Sequence, residues 1–172
     1  MVEKDNVLRE QFKFTGLGDF KGAYGHAHTW LSDEGFDITE DKYKEKIKGD
    51  EKEIEVVWTA TKKITDYFKI ELAIKWEIKG MSEVEVEIDG KKKRMNNFAE
   101  LKMTIKGILV KDYDNRWEVS RMHKFMKDVY HKYIVPGRIE QKQIEVSLIT
   151  KDYKDEMKAF FDLTARRNIE RP

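Results

Sequence analysis

The histidines are the residues of this chain whose type and spacing could hold a metal ion. His26 and His28 lie two residues apart, and His123 and His131 follow much later in the sequence. Three imidazole nitrogens would suit zinc or iron. Residues two apart on a helix point about 200° apart, so His26 and His28 can share one ion only if that segment unwinds. A metal-dependent enzyme built on His26, His28 and His123 is therefore the weakest hypothesis, and partly exposed helix histidines are favoured.

Nucleophiles and phosphate-binding loops are harder to find in this sequence. The chain contains no cysteine, which excludes thiolate nucleophiles, disulfides and Cys-ligated metals. The strand positions expected to face inward carry no Asp, His, Ser or Lys, so acid–base or nucleophilic catalysis has no agent on that face. The glycines at Gly16 and Gly18 lack the lysine of a phosphate loop. We therefore lean against an enzyme and predict no cofactor.

A compact basic run, Lys91-Lys92-Lys93-Arg94, follows the Asp89-Gly90 turn and could touch phosphate. The run lacks the interleaved aromatic residues of a surface on which bases stack. Acidic residues stand beside it, at Glu87 and Asp89. A solvated hairpin is therefore favoured, and nucleic acid is not an expected partner.

The elements that must position these groups begin with a set of strands. From about Lys42 to Val110 apolar residues alternate with charged ones, most clearly from Phe68 to Ile78. One apolar and one charged face are typical of an antiparallel sheet with one solvated side. The residues predicted to face inward are Ile54, Val56, Trp58, Ala60, Phe68, Ile70, Leu72, Ile74, Trp76, Ile78, Val84, Val86, Ile88, Leu101, Met103 and Ile105.

Turn signals divide this region into separate strands. The predicted connections are Thr65-Asp66, Gly80-Met81-Ser82 and Asp89-Gly90, the last being a strong two-residue hairpin signal. A hairpin centred on Thr65 would place Ile54 opposite Trp76 and Trp58 opposite Leu72. With a short strand near the amino terminus, the pattern predicts about six strands.

Three helices are predicted from apolar residues at three- and four-residue spacing. The first runs from Phe20 to Glu34, with Asp19 as its N-cap and Gly35 at its end. The second is amphipathic, from Met122 to Ile134, and the third spans residues 138–167, longer than one domain of this size needs. The third helix either runs through the apolar interior of the sheet or projects and meets another chain through Tyr153, Phe160 and Phe161.

Composition places the chain in a broad class. Its 172 residues suit one domain, with 40% hydrophobic and 39% charged residues but a net charge of only +1. With this balance, a whole-protein field directed at nucleic acid or an anionic membrane is not expected, although local charged patches remain possible. Abundant Lys and Glu predict a thermophilic or archaeal source. The charged start and the short aliphatic runs predict a cytoplasmic protein without a membrane span.

These elements predict an α+β fold, in which a curved antiparallel meander of about six strands is covered on one face by an N-terminal helix and a long C-terminal helix. In element order this outline resembles the helix-grip folds. The resemblance implies a sheet that wraps the C-terminal helix and often encloses an apolar cavity. A fold outline is an analogy for function and not a demonstration of it.

The first functional hypothesis is a non-catalytic domain that binds an apolar small molecule or lipid between sheet and helix. The soft, aromatic lining of such a cavity would consist of Trp58, Leu72, Trp76, Met103, Met122, Met126 and Met157. The alternative is an interaction or assembly protein that forms a homo-oligomer, or docks on another protein chain, through the long C-terminal helix.

Overall fold

A computed structural model describes residues 2–113, 121–133 and 135–169 of the chain. The fold is α+β, as the sequence predicts, with an antiparallel sheet, an N-terminal helix and a long C-terminal helix. The elements are β1 (Glu3–Gly18), α1 (Phe20–Asp33), β2 (Asp37–Lys48), β3 (Glu51–Lys63), β4 (Phe68–Ile88), β5 (Lys91–Lys111), α2 (Arg121–Tyr133) and α3 (Val135–Ile169).

The sheet has five strands in the order β1-β5-β4-β3-β2, one fewer than predicted. The difference arises at Gly80, which does not end a strand because β4 runs through it. Gly80 has a φ of +61°, a conformation that glycine adopts without steric cost. Ile78 and Met81 on either side are both buried, so the inward alternation shifts there. As a result Val84 and Val86 are only half-buried, and the prediction that they continue the inner face is wrong.

Two of the three predicted connections of the meander, at Thr65-Asp66 and Asp89-Gly90, are hairpins in the structure. Asp89 and Gly90 have positive φ angles of 54° and 75°, as a two-residue type I′ turn requires. In the β3–β4 hairpin Val56 lies opposite Trp76 and Trp58 opposite Ile74, two residues away from the predicted register. A shift of two residues keeps every side chain on its face, so the inward positions of β3 and of the first half of β4 are confirmed.

Both α1 and α3 cover the inner face of the sheet. Asp19 caps α1 by accepting a hydrogen bond from the Gly22 N–H, and Gly35 follows the helix at a φ of +90°, as predicted. From α3 the buried side chains are Val146, Thr150, Tyr153, Met157 and Phe161. Their spacing of three and four residues forms one helix face, which packs mainly on β1 and β5.

Gly107 of β5 sets how closely α3 approaches the sheet. A Cβ atom at this position would collide with Thr150 Oγ1 and lie 2.9 Å from Val146 Cγ1. The absence of a side chain therefore lets α3 rest directly on the backbone of β5. Among the described helices none combines the length and the apolar character needed to cross a membrane.

Candidate functional site

An aromatic cluster occupies the interior between the sheet, α1 and α3. The rings of Trp58 and Trp76 lie 5.7 Å apart, and Tyr24 of α1 packs edge-on against Trp58 at 4.9 Å. Around them the structure gathers five of the seven residues predicted to line a cavity, each at most 1% exposed: Trp58, Leu72, Trp76, Met103 and Met157. The sequence therefore identified the apolar centre of the domain.

The other two predicted lining residues are elsewhere. Met122 and Met126 lie on α2 with 69% and 52% of their surface exposed, so their assignment to the lining is wrong. The reason is that the described residues of α2 make few contacts with the sheet. An amphipathic repeat indicates that a helix has an apolar face, but it does not indicate what covers that face.

Two polar atoms are buried in this apolar interior without a hydrogen-bond partner in the described part of the chain. They are Trp76 Nε1 and the Tyr153 hydroxyl oxygen. Burial raises the pKa of Tyr153, and the neighbouring Trp76 indole lowers it only in part, so the phenol stays protonated. The two groups are neighbours that do not reach hydrogen-bonding geometry. Unpaired polar groups in an interior are uncommon, and each calls for a partner or a reason.

A polar rim borders the cluster where α1 meets β2. The Tyr24 hydroxyl donates to Glu40 Oε1 at 2.6 Å, and Trp58 Nε1 donates to the same oxygen at 3.4 Å. Burial and the Glu40 carboxylate raise the pKa of Tyr24 to about 12. Tyr24 was detectable as part of the apolar repeat of α1, whereas Glu40 gives no signal in the sequence because its partners come from other elements.

The histidine hypothesis depends on a local unwinding that is absent, because α1 is helical from Phe20 to Asp33. His26 Nε2 lies 3.0 Å from Glu156 Oε1, and its ring stacks on Phe160. His28 faces a different element and meets Trp58 edge-on at 6.2 Å. The side chain of His123 lies outside the described residues. Within the described part of the chain, no group of His, Cys, Asp or Glu could hold a metal ion.

The three residues assigned to an intermolecular interface are used within the chain. Tyr153 and Phe161 are fully buried, and Phe160 is half-buried against His26. Phe161 packs against rings of β1 and β5, among them Phe14 at 5.1 Å. These side chains therefore do not form a free surface, because α3 presents them to its own sheet.

The basic run forms the first four residues of β5, directly after the hairpin turn. Lys91, Lys92, Lys93 and Arg94 are all exposed. Across the hairpin Lys92 pairs with Glu87, and Arg94 pairs with Glu85. Opposite charges on facing positions favour a solvated hairpin, in keeping with the interpretation from the sequence.

An exposed apolar surface on α2 was not recognised from the sequence. Its members are Met122, Phe125, Met126 and Val129, here called the α2 stripe, and they are 69%, 68%, 52% and 38% exposed. Spacing of three, four and seven residues places them on one helix face. The exposed Lys124 falls on the opposite face, whereas Lys132, seven residues after Phe125, falls at the edge of the stripe. The sequence pattern of this helix is the same as that of a helix that lines a core, and only the exposure of its side chains distinguishes the two.

Although β5, with seven basic residues and one acidic residue, carries more charge, α2 is also a basic element. It contains four basic residues and one acidic residue, hence a net charge of +3, whereas the whole chain carries +1. No family model, curated protein or solved structure matches the chain. The functional argument is accordingly built on these surfaces and on the interior.

Proposed function

We propose that this chain is a non-catalytic docking domain that attaches to an anionic lipid surface through the α2 stripe. The observation that carries the proposal is the exposure of four large apolar side chains on one face of α2. By contrast, the repeat of α3 from Val146 to Phe161 is buried on the sheet, although Ile144, Leu148 and Leu163 of the same helix are exposed. Contiguous apolar surface of this kind marks interaction sites on soluble proteins.

The charge of α2 favours a lipid surface over the other occupants. A helix with an apolar face and an excess of basic residues lies in the plane of a membrane interface, with its apolar face inserted. Each basic residue near an anionic leaflet contributes roughly 1 kcal/mol, and each large apolar side chain removed from water roughly 1.5–3 kcal/mol. A second copy of the chain would bring another helix of net charge +3 against the first, which disfavours self-association. A protein groove would explain the stripe but not the excess charge.

Sedimentation with lipid vesicles tests the proposal. We expect the protein to bind vesicles of phosphatidylcholine with phosphatidylglycerol, to bind pure phosphatidylcholine much less, and to dissociate with added salt. The double variant F125S/M126S should lose most of this binding, because it removes the two central members of the stripe. The control is Ile47→Ser, which removes an apolar side chain that is 72% exposed on β2.

The outcomes separate the alternatives. Circular dichroism and melting should show F125S/M126S as folded as the wild type, because neither side chain is in the core. Equal vesicle binding by wild type and F125S/M126S would overturn the proposal. The proposal would also be overturned if the wild type formed a dimer and did not bind vesicles, and F125S/M126S were monomeric. This result would identify a second copy of the chain as the occupant of the stripe.

A second candidate function is the binding of an apolar small molecule between the sheet and the helices. The observation that favours it is the pair of unpartnered polar atoms, Trp76 Nε1 and the Tyr153 hydroxyl, in the aromatic interior. A ligand with one polar group would satisfy both atoms while its apolar part replaced side-chain contacts under α1. The resemblance to the helix-grip outline agrees with this placement.

Native mass spectrometry tests this second candidate. Extra mass that disappears on denaturation, and that Tyr153→Phe reduces, would support a ligand held at the hydroxyl. The control is Tyr43→Phe, which removes a hydroxyl from a half-exposed tyrosine on β2. A bare chain after purification from its native source would speak against this function and leave the docking proposal untouched.

A further inference from the structure

The outer face of the sheet, which faces away from the helices, has its charges arranged differently in its two halves. In the β2–β3 half the directly opposed residues carry opposite charges, in the pairs Lys44–Glu55, Lys46–Glu53 and Lys48–Glu51. Opposite charges on facing strand positions stabilise a sheet. Ion pairs of 3.0 Å (Lys42–Glu55) and 2.9 Å (Lys48–Glu53) reinforce this half.

In the β1–β5 half, two pairs of directly opposed residues on the outer face carry the same charge. Arg9 lies opposite Lys106, and Lys13 lies opposite Lys102. Like charges in facing positions destabilise a sheet. No ion pair or side-chain hydrogen bond joins Arg9 or Lys106 to any other residue that the structure describes. The fold therefore holds two cations side by side without neutralising them.

A hollow of about 330 Å³ opens at this position. Its walls carry four basic side chains and one acidic one, and we call it the basic hollow: Arg9, Lys75, Lys102, Lys106 and Glu77. The shorter side chains of Val57, Ala73 and Thr104 also line it and leave the space between the charged chains open. Glu77 is engaged by Lys75 at 2.9 Å and also lies 4.0 Å from Lys102, so it does not neutralise Arg9 or Lys106.

We propose that the basic hollow binds the phosphate group of a phosphorylated small molecule. The Arg9 guanidinium can donate two parallel hydrogen bonds to phosphate oxygens. Lys102 and Lys106 supply two further charges, and the Thr104 hydroxyl supplies a neutral donor between them. Several cations around one hollow match the multiple charge of a phosphomonoester or diphosphate better than that of a single carboxylate. No aromatic ring lines the hollow, so a nucleobase has nothing to stack on.

Titration calorimetry with inorganic pyrophosphate at constant ionic strength tests this site. We expect the double variant R9Q/K106Q to weaken pyrophosphate binding by about tenfold or more, since it removes two charge-assisted contacts. The matched control K44Q/K46Q removes the same charge from the compensated half and should bind like the wild type. Equal binding by wild type and R9Q/K106Q, equal losses in both double variants, or no binding of pyrophosphate would overturn the proposal.

A second arm distinguishes a soluble phosphate compound from a lipid headgroup. Vesicles containing phosphatidic acid are offered to F125S/M126S, in which the α2 stripe is disabled. Residual binding that R9Q/K106Q abolishes in this background would assign the phosphate to a headgroup. Pyrophosphate binding without such residual binding would assign it to a soluble molecule.

Thermal melting without any ligand provides a readout that does not depend on the probe. Because R9Q/K106Q removes facing like charges, it should raise the melting temperature at low salt. K44Q/K46Q removes facing opposite charges and should lower it. A lower melting temperature for R9Q/K106Q would mean that the fold itself uses the two cations, and the argument for an anion would fail.

Discussion

Two helices of this molecule carry the same kind of apolar repeat, which is buried in α3 and exposed in α2. In α3 the repeat from Val146 to Phe161 is fully buried on β1 and β5. In α2 the repeat from Met122 to Val129 is exposed, and the helix makes few contacts with the sheet. The contrast shows that the sequence repeat predicts an apolar helix face, but not what buries that face. Whether another part of the same chain packs on it is decided by the tertiary structure.

The basis of the difference is the shape of the surface that each helix meets. On β5, Gly107 leaves room for Thr150, so α3 can settle on the backbone. On β1, Glu10 accepts a hydrogen bond of 3.0 Å from Lys154 and fixes the helix over the strand. We infer that α3 belongs to the folding core and α2 to the binding surface.

The largest expected effect is a difference in stability between the same substitution, Phe to Ala, made in α3 and in α2. Phe161→Ala should destabilise the domain by about 3–5 kcal/mol, because it leaves a cavity among Phe12, Phe14 and Phe98. Phe125→Ala removes the same atoms from a side chain that is exposed and should change stability little. Urea denaturation of both variants measures the difference. Similar losses in both would mean that α2 is part of the core.

The contact between α3 and the sheet can be broken from the sheet side. Gly107→Ala should destabilise by about 1–3 kcal/mol, because the added methyl group collides with Thr150 and crowds Val146. Gly25→Ala in α1 is the matched control, since a Cβ there meets nothing within 4 Å. The control should stabilise by about 0.5–1 kcal/mol through helix propensity. A neutral Gly107→Ala would show that α3 does not rest on β5 as described.

Much of the fold could be predicted because it follows from local patterns. Alternation from Phe68 to Ile78 identified the inner face, and Asp89-Gly90 identified its hairpin, since each signal is complete within a few residues. Gly80 was misread as a turn because a glycine signal does not say whether the chain reverses or only changes face. The β3–β4 register was displaced by two residues because periodicity fixes only the parity of a pairing.

The candidate sites could be predicted only in part, for a related reason. Trp58 and Trp76 were identified because an apolar residue on an inner face is buried in almost any arrangement. The basic hollow depends on Arg9 meeting Lys106, and no local pattern connects two residues so far apart in sequence. Met122 and Met126 of the α2 stripe were assigned to a cavity because apolar residues have the same spacing in a covered and in an uncovered helix.

The smallest expected effect concerns the covered face of α3. Here the sign of the change in unfolding free energy carries the information. An unpaired buried hydroxyl costs stability, so Tyr153→Phe should leave the purified domain unchanged or raise its stability by up to about 1 kcal/mol. If a ligand or an internal water bonds to the hydroxyl, the same substitution should instead destabilise by about 1–2 kcal/mol. Urea denaturation before and after lipid extraction measures both cases. Destabilisation that extraction abolishes would give the inner face a binding role of its own, and the division into a folding core and a binding surface on α2 would then have to be redrawn.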